Sequence, residues 1–147
     1  MRPHPRTGYQ LAQDMKTAQL RAELAKPKRA HPEEDLQIAV IDLLRRFAKP
    51  GVIYFHCANG GYRNPREAAR FKAMGVLPGV SDIIISMPGG KMGFLELKAG
   101  KGKITKAQNN FLNAVATNGH WAICCMDMSS VAYALWTWGA LKQRVVF

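Results

Sequence analysis

The chain has 147 residues, the size of one ordinary domain, and can bury a hydrophobic core without disulfide or zinc staples. Its formal charge of +11 attracts polyanions, whether nucleic acid, anionic lipid or acidic protein. Three cysteines are too few for a disulfide framework, and no apolar stretch suits a bilayer span or a signal peptide. We therefore expect a soluble, unexported protein of a reducing cytoplasm.

Residues 1–31 are basic and carry prolines near both ends, so we expect an arm that precedes one domain at 32–147. The domain opens with PEEDLQIAVIDLLRRF, which predicts a helix because its apolar residues form one stripe and its early acids suit the helix dipole. Lys49-Pro50-Gly51 ends this helix.

The next segments alternate between strand and helix signals. VIYFH predicts a strand that runs into the loop CANGGYR, and NPREAARFKAMG predicts a helix capped by Asn64. DIIIS and FLELK flank the turn MPGGKMG and predict a β-hairpin.

Thr105 then opens a further helix, HWAICCM is strand-like, and SSVAYALWTWGALKQ predicts a last helix capped by Ser129 or Ser130. The predicted order is αβαββαβα, which is a mixed α/β fold.

Three charged residues interrupt the hairpin strands, where burial of a charge without a partner is costly. A hairpin centred on Gly89-Gly90 places Asp82 almost opposite Glu96. Side-chain alternation puts Glu96 and Lys98 on one face of the sheet and Leu97 in the core. Two neighbouring carboxylates repel unless a cation lies between them, and oxygen ligands favour Mg²⁺ or Mn²⁺.

A short D…ExK pattern also occurs in surface hairpins that carry an ordinary Glu/Lys pair, so the spacing alone leaves both interpretations open. The following segment AGKGKITKAQ adds Lys101, Lys103 and Lys106, which would hold a polyanion next to the acids. A run of lysines is also common on a solvated surface.

Asp82, Glu96 and Lys98 resemble the core of the restriction-endonuclease-like PD-(D/E)XK nucleases. Four ordered segments extend the match: EEDLQIAVIDLL, ANGGYR, AARFKAMGVLPGVSD and FLELKAGKGKITKAQ together resemble the VRR-NUC family over roughly residues 33 to 128. Ser81 departs from the family pattern, which usually has proline before the aspartate. The resemblance implies a restriction-endonuclease-like core in which helices flank a mixed central sheet.

The resemblance also implies the composition of the site. Glu33 on the first helix, with Glu34 as the competing candidate, would join Asp82, Glu96 and the carbonyl of Leu97 in binding one or two Mg²⁺ or Mn²⁺ ions. Lys98 would orient or deprotonate the attacking water. Gln108 would orient the active site, although a glutamine on a helix surface is nearly as common.

Other segments suggest weaker candidates. NGGYRNPR combines glycines with basic residues, and we expect Asn59 and Arg63 to contact DNA, although a plain turn also explains the glycines. His56, Cys57 and the Cys124-Cys125 pair lack zinc-site spacing, and buried structural cysteines are the simpler interpretation.

We expect a metal-dependent, structure-specific DNA endonuclease. By analogy with stand-alone family members it would resolve Holliday junctions as a homodimer in a bacterial or phage-infected cell, since resolution needs two symmetric cuts. The alternatives are a flap, nick or general DNA nuclease and a non-catalytic basic DNA-binding module. The last would not explain carboxylates that face DNA.

Overall fold

The computed structural model describes residues 31–58 and 64–147. The predicted arm at 1–31 lies outside these residues except for His31. The elements, in chain order, are α1 (Pro32–Phe47), β1 (Ile53–His56), α2 (Pro65–Ala73), β2 (Ile83–Ser86), β3 (Met92–Leu97), α3 (Lys106–Thr117), β4 (Trp121–Cys125) and α4 (Met128–Thr137). The predicted order αβαββαβα is confirmed over the described residues.

The four strands form one mixed sheet in the order β1-β2-β3-β4. β2 pairs antiparallel with both β1 and β3, whereas β4 runs parallel to β3. A parallel pair needs a crossover connection, and α3 supplies it between β3 and β4. Ile83 pairs with Leu95 in the hairpin, and this register continues to Asp82 opposite Glu96, as predicted.

The main hydrophobic core contains one face of the sheet together with α1 and α4. Leu95 and Leu97 of β3 lie in this core, so the alternating residues Phe94 and Glu96 belong to the other face. α3 covers that second face, where the rings of Phe94 and Phe111 meet edge to face with centroids 5.5 Å apart. The sheet is therefore covered on both faces around β3.

Local signals explain most of the helix boundaries. The side chain of Asn64 accepts a hydrogen bond from the N–H of Glu67, and Thr105 forms a capping box with Gln108. The predicted cap of α4 at Ser129 or Ser130 is wrong, because Asp127 accepts from the N–H of Ser130 at 2.7 Å. The two serines lie within the first turn instead.

Gly93 has a packing role in the sheet. A Cβ atom at this position would lie 2.7 Å from the ring of Trp138, which is also stacked on Trp121 at a centroid distance of 6.0 Å. These contacts show that the two tryptophans belong to packed structure. Within residues 31–58 and 64–147, none of the helices has the length and apolar character that crossing a membrane requires.

Candidate active site

The hairpin fixes Asp82 and Glu96 at the same end of the sheet. The N–H of Leu97 donates to Asp82 Oδ2 at 2.8 Å, which ties the aspartate side chain to β3. On its other side, the carbonyl of Asp82 accepts from the N–H of Cys57 at 2.9 Å and lies 2.7 Å from His56 Nδ1. Asp82 is therefore held by both neighbouring strands.

Glu96 is fully buried, which is rare for a carboxylate. Its Oε1 atom lies 3.0 Å from Lys98 Nζ and also accepts a hydrogen bond from Gln108 Nε2. Its Oε2 atom is buried and has no hydrogen-bond partner. A buried polar atom without a hydrogen-bond partner costs about 1–3 kcal/mol of stability, and the cost is larger for a charged group. This oxygen therefore marks a position where a ligand would stabilise the site.

The pKa values of the pair reflect this burial. Burial raises the pKa of Glu96 to about 7, and the nearby Asp82 carboxylate adds to this rise while Lys98 opposes it. Burial acts to lower the pKa of Lys98, but the carboxylates of Glu96, Glu33 and Asp82 outweigh it and raise the pKa above its ordinary value. Lys98 is therefore an ammonium ion at neutral pH.

Glu33 approaches the same lysine from the start of α1. Its Oε2 atom lies 3.8 Å from Lys98 Nζ, and its side chain is about half exposed at 46%. A Cβ atom at residue 102 would lie 2.5 Å from Glu33 Oε1, so Gly102 allows the loop after β3 to pack on this carboxylate. Glu34 lines the same cavity, but Glu33 is the residue that forms an ion pair with Lys98.

Glu33, Asp82, Lys98 and Gln108 line a cavity of about 390 Å³, and the buried Glu96 lies behind Lys98 and Gln108, which both contact its Oε1 atom. Its lining combines the ends of α1, β1 and α3 with the loop before β2 and includes Glu33, Glu34, Gln37, His56, Cys57, Gly79, Val80, Asp82, Lys98, Thr105 and Gln108. Acidic, basic and amide groups from these four parts of the fold and from Lys98 after β3 thus share one concave space, which is the usual form of an active site.

Few carboxylate side chains in the site offer oxygen atoms to a divalent cation. Among the described residues, no three His, Cys, Asp or Glu side chains are grouped closely enough to enclose a metal ion. Mg²⁺, however, is usually held by one or two carboxylates and keeps several waters. A cation next to Glu96 Oε2 would give this oxygen a partner and reduce its repulsion with Asp82. The site therefore fits an ion held by two carboxylates and water.

The predicted DNA-binding residues do not line the cavity of the candidate active site where the structure describes them. Lys101 and Lys103 line a neighbouring cavity, and Lys106 is the exposed first residue of α3. Asn59 and Arg63 lie outside the described residues.

Two residues contribute to the site in ways that the sequence patterns did not indicate. His56 was considered only as a zinc ligand, yet its ring is bonded to the carbonyl of Asp82 and lines the cavity. A carbonyl oxygen can only accept, so Nδ1 must carry the proton. Thr105 fixes the side chain of Gln108 through the capping box: Gln108 Oε1 accepts a hydrogen bond from the Thr105 N–H at 2.8 Å, while Gln108 Nε2 donates to Glu96. For the contact between His56 and the carbonyl of Asp82, the only signal in the sequence is a histidine at the end of a predicted strand.

Comparisons with known proteins identify the architecture. No family model matches the chain, and no curated protein matches it. Among solved structures, the chain is similar to a VRR_NUC domain protein with a TM-score of 0.59 and 24% sequence identity, over 78% of this chain and 93% of the other. This similarity supports the resemblance drawn from the sequence segments. The chain has the restriction-endonuclease-like fold of that VRR_NUC domain protein.

Proposed function

We propose that this protein is a VRR-NUC nuclease that hydrolyses DNA phosphodiester bonds with Mg²⁺ or Mn²⁺. The observation that carries the proposal is the buried Glu96 carboxylate, which has one oxygen without a partner and lies 3.0 Å from Lys98, a residue that lines the cavity together with Asp82. Burying a carboxylate oxygen without a partner costs stability, and groups buried at such a cost are concentrated at functional sites. The similarity to a VRR_NUC domain protein supports the same conclusion.

Asp82, Glu96 and the carbonyl of Leu97 would hold the metal ion, and Glu33 would contact it through water. When bound, the ion supplies Lewis-acid polarisation of the phosphate and lowers the pKa of a coordinated water. Gln108 donates a hydrogen bond to Oε1 of Glu96, which would position the carboxylate and leave Oε2 for the ion. Asp82 is oriented by the N–H of Leu97.

Lys98 would act on the substrate as a cation. Because its pKa is raised, it keeps its proton at neutral pH and is poorly suited to remove a proton from water. Between Glu96 and Glu33 it is placed to orient the attacking water and to neutralise charge that develops on the phosphate. By family analogy the products are a 5′-phosphate and a 3′-hydroxyl.

We further propose that the preferred substrate is branched DNA, in particular a four-way junction, and that two copies act together. The charge of +11 favours DNA as the partner, with Lys101, Lys103 and Lys106 as backbone contacts next to the site. Two symmetric cuts across a junction need two active sites, which a homodimer supplies.

A cleavage panel tests both parts. Labelled four-way junction, flap, nicked duplex and linear duplex are incubated at equal concentration with Mg²⁺, Mn²⁺ or EDTA. Asp82→Ala and Lys98→Ala should lose cutting by at least about a hundredfold while they still bind DNA, and Glu67→Gln, which changes an exposed acid of α2, should cut normally.

The possible results separate the claims. Full activity in EDTA, or in Asp82→Ala, would contradict the active-site assignment. Equal cutting of linear duplex and junction would leave a nuclease but reject the junction preference. Light scattering of the free protein and of its junction complex reports the number of copies.

A further inference from the structure

A second cavity of about 730 Å³ borders the loop between β3 and α3. Its apolar lining comes from Ile104, Cys124 and Met126, and its charge comes from Lys98, Lys101 and Lys103. We call it the lysine-loop cleft. Ile104 and Met126 are 38% and 52% exposed, so two large apolar side chains face this open space together. A contiguous apolar surface of this kind indicates a binding site, whereas a single exposed apolar side chain does not.

The charged side chains that line the cleft are all lysines. Lys101 and Lys103 are exposed, and none of the described residues that line the cleft has an acidic side chain. An apolar surface bordered by ammonium groups matches a nucleotide, whose base is flat and largely apolar on its faces and whose phosphates are anionic.

The cleft adjoins the candidate active site. Lys98 lines both cavities, and its Nζ atom lies 3.0 Å from Glu96 Oε1. The same loop contacts the site at Gly102, which packs against the carboxylate of Glu33. A DNA strand whose phosphate lies at Lys98 therefore has the cleft within reach of a neighbouring base.

We propose that the lysine-loop cleft binds one unpaired nucleobase next to the phosphate that is cut. A paired base is stacked inside the duplex and reaches the cleft only if it is unstacked, which costs a few kcal/mol. An unpaired base at a branch point avoids most of this cost. The cleft thereby favours DNA with unpaired nucleotides over intact duplex. This inference rests on the proposed nuclease function and names the feature of the substrate that the site selects.

Binding is tested in EDTA, where no cutting occurs, with DNA that carries 2-aminopurine at one unpaired position and with a fully paired control. The wild type should change the fluorescence of the unpaired base. Met126→Gln keeps the side-chain length but removes the apolar contact, and we expect about tenfold weaker binding of the unpaired DNA with duplex binding unchanged. Met126→Leu should bind normally. Met74→Gln is the matched control, because Met74 is 65% exposed on another surface.

The outcomes are distinct. Equal weakening of both DNAs by Met126→Gln, or no effect on either, would overturn the proposal. If Met126→Gln changed the number of chain copies per particle, as measured by light scattering, the proposal would also be overturned, because a second copy of the chain would then occupy the cleft. A fluorescence response in a protein that cuts no DNA in Mn²⁺ would reject the nuclease function and retain the base-binding site. Cutting without any response would reject the cleft alone.

Discussion

The pH dependence of folding stability is the property on which the buried Glu96 carboxylate has its largest effect. Ionisation of an acid does not change the free energy of unfolding at pH values below its pKa in the unfolded chain, here 4.5, because the group is protonated in both the folded and the unfolded state. As the pH rises from there to about 7, the unfolded chain loses this proton and the folded protein keeps it. Stability therefore falls over this range and levels off above it.

The size of the effect follows from the two pKa values. Each pH unit between 4.5 and about 7 removes about 1.4 kcal/mol. Integrated between pH 5 and pH 8, the loss due to Glu96 is about 2 to 3 kcal/mol. Lys98 does not contribute in the wild type, because its raised pKa keeps it protonated over the whole interval.

Glu96→Gln removes this ionisation with little change of shape. The amide oxygen can still accept from Lys98 and Gln108, as Oε1 does. Urea unfolding, followed by tryptophan fluorescence in EDTA at several pH values, should show a wild type that loses about 2 to 3 kcal/mol more than Glu96→Gln between pH 5 and pH 8. Parallel pH profiles for the two proteins would refute a buried glutamate with a raised pKa.

Three further changes test the surroundings of the site. Gly79→Ala should destabilise by about 3 kcal/mol in urea, because its Cβ would lie 2.4 Å from the backbone of α3, whereas Gly75→Ala, at a similar positive φ in open space, should cost about 1 kcal/mol. His56→Ala should lower the affinity for Mn²⁺ by about tenfold, because Asp82 loses the hydrogen bond to its carbonyl. His56→Asn should restore the affinity, because its amide can replace the Nδ1–H donor. Equal affinity in both variants would contradict the positioning of Asp82 by His56. Ser81→Ala should raise the free energy of unfolding by up to about 1 kcal/mol, because the Ser81 hydroxyl is buried without a partner, and a lower value would show that this hydroxyl is bonded.

Local signals in the sequence were sufficient for much of the fold. Asn64 and Thr105 are good helix caps, and the glycines after Pro88 set a hairpin turn, so the element order and the opposition of Asp82 and Glu96 follow from short segments. The cap of α4 was missed because Asp127 and the two following serines are equally good caps. Only the end of β4 at Cys125 decides between them.

The less predictable features all depend on contacts between distant segments. Glu96 is buried because α3 covers its face of the sheet, and no periodicity in β3 reveals which helix does so. The link from Gln108 to Glu96 spans a loop whose path the sequence does not define. The role of His56 similarly requires β1 to pair with β2 beside Asp82. Pattern analysis identified the acids but not how they are held.

Calorimetric titration of Mn²⁺ into the full-length protein at pH 8 tests the central claim most directly, because binding is measured without any DNA. The account predicts a site in the wild type that is weakened at least about tenfold by Asp82→Asn and by Glu96→Gln, and unchanged by Glu67→Gln. Equal Mn²⁺ binding by the wild type and Glu96→Gln would show that the unpartnered oxygen of Glu96 is not a metal ligand and would contradict the proposed mechanism.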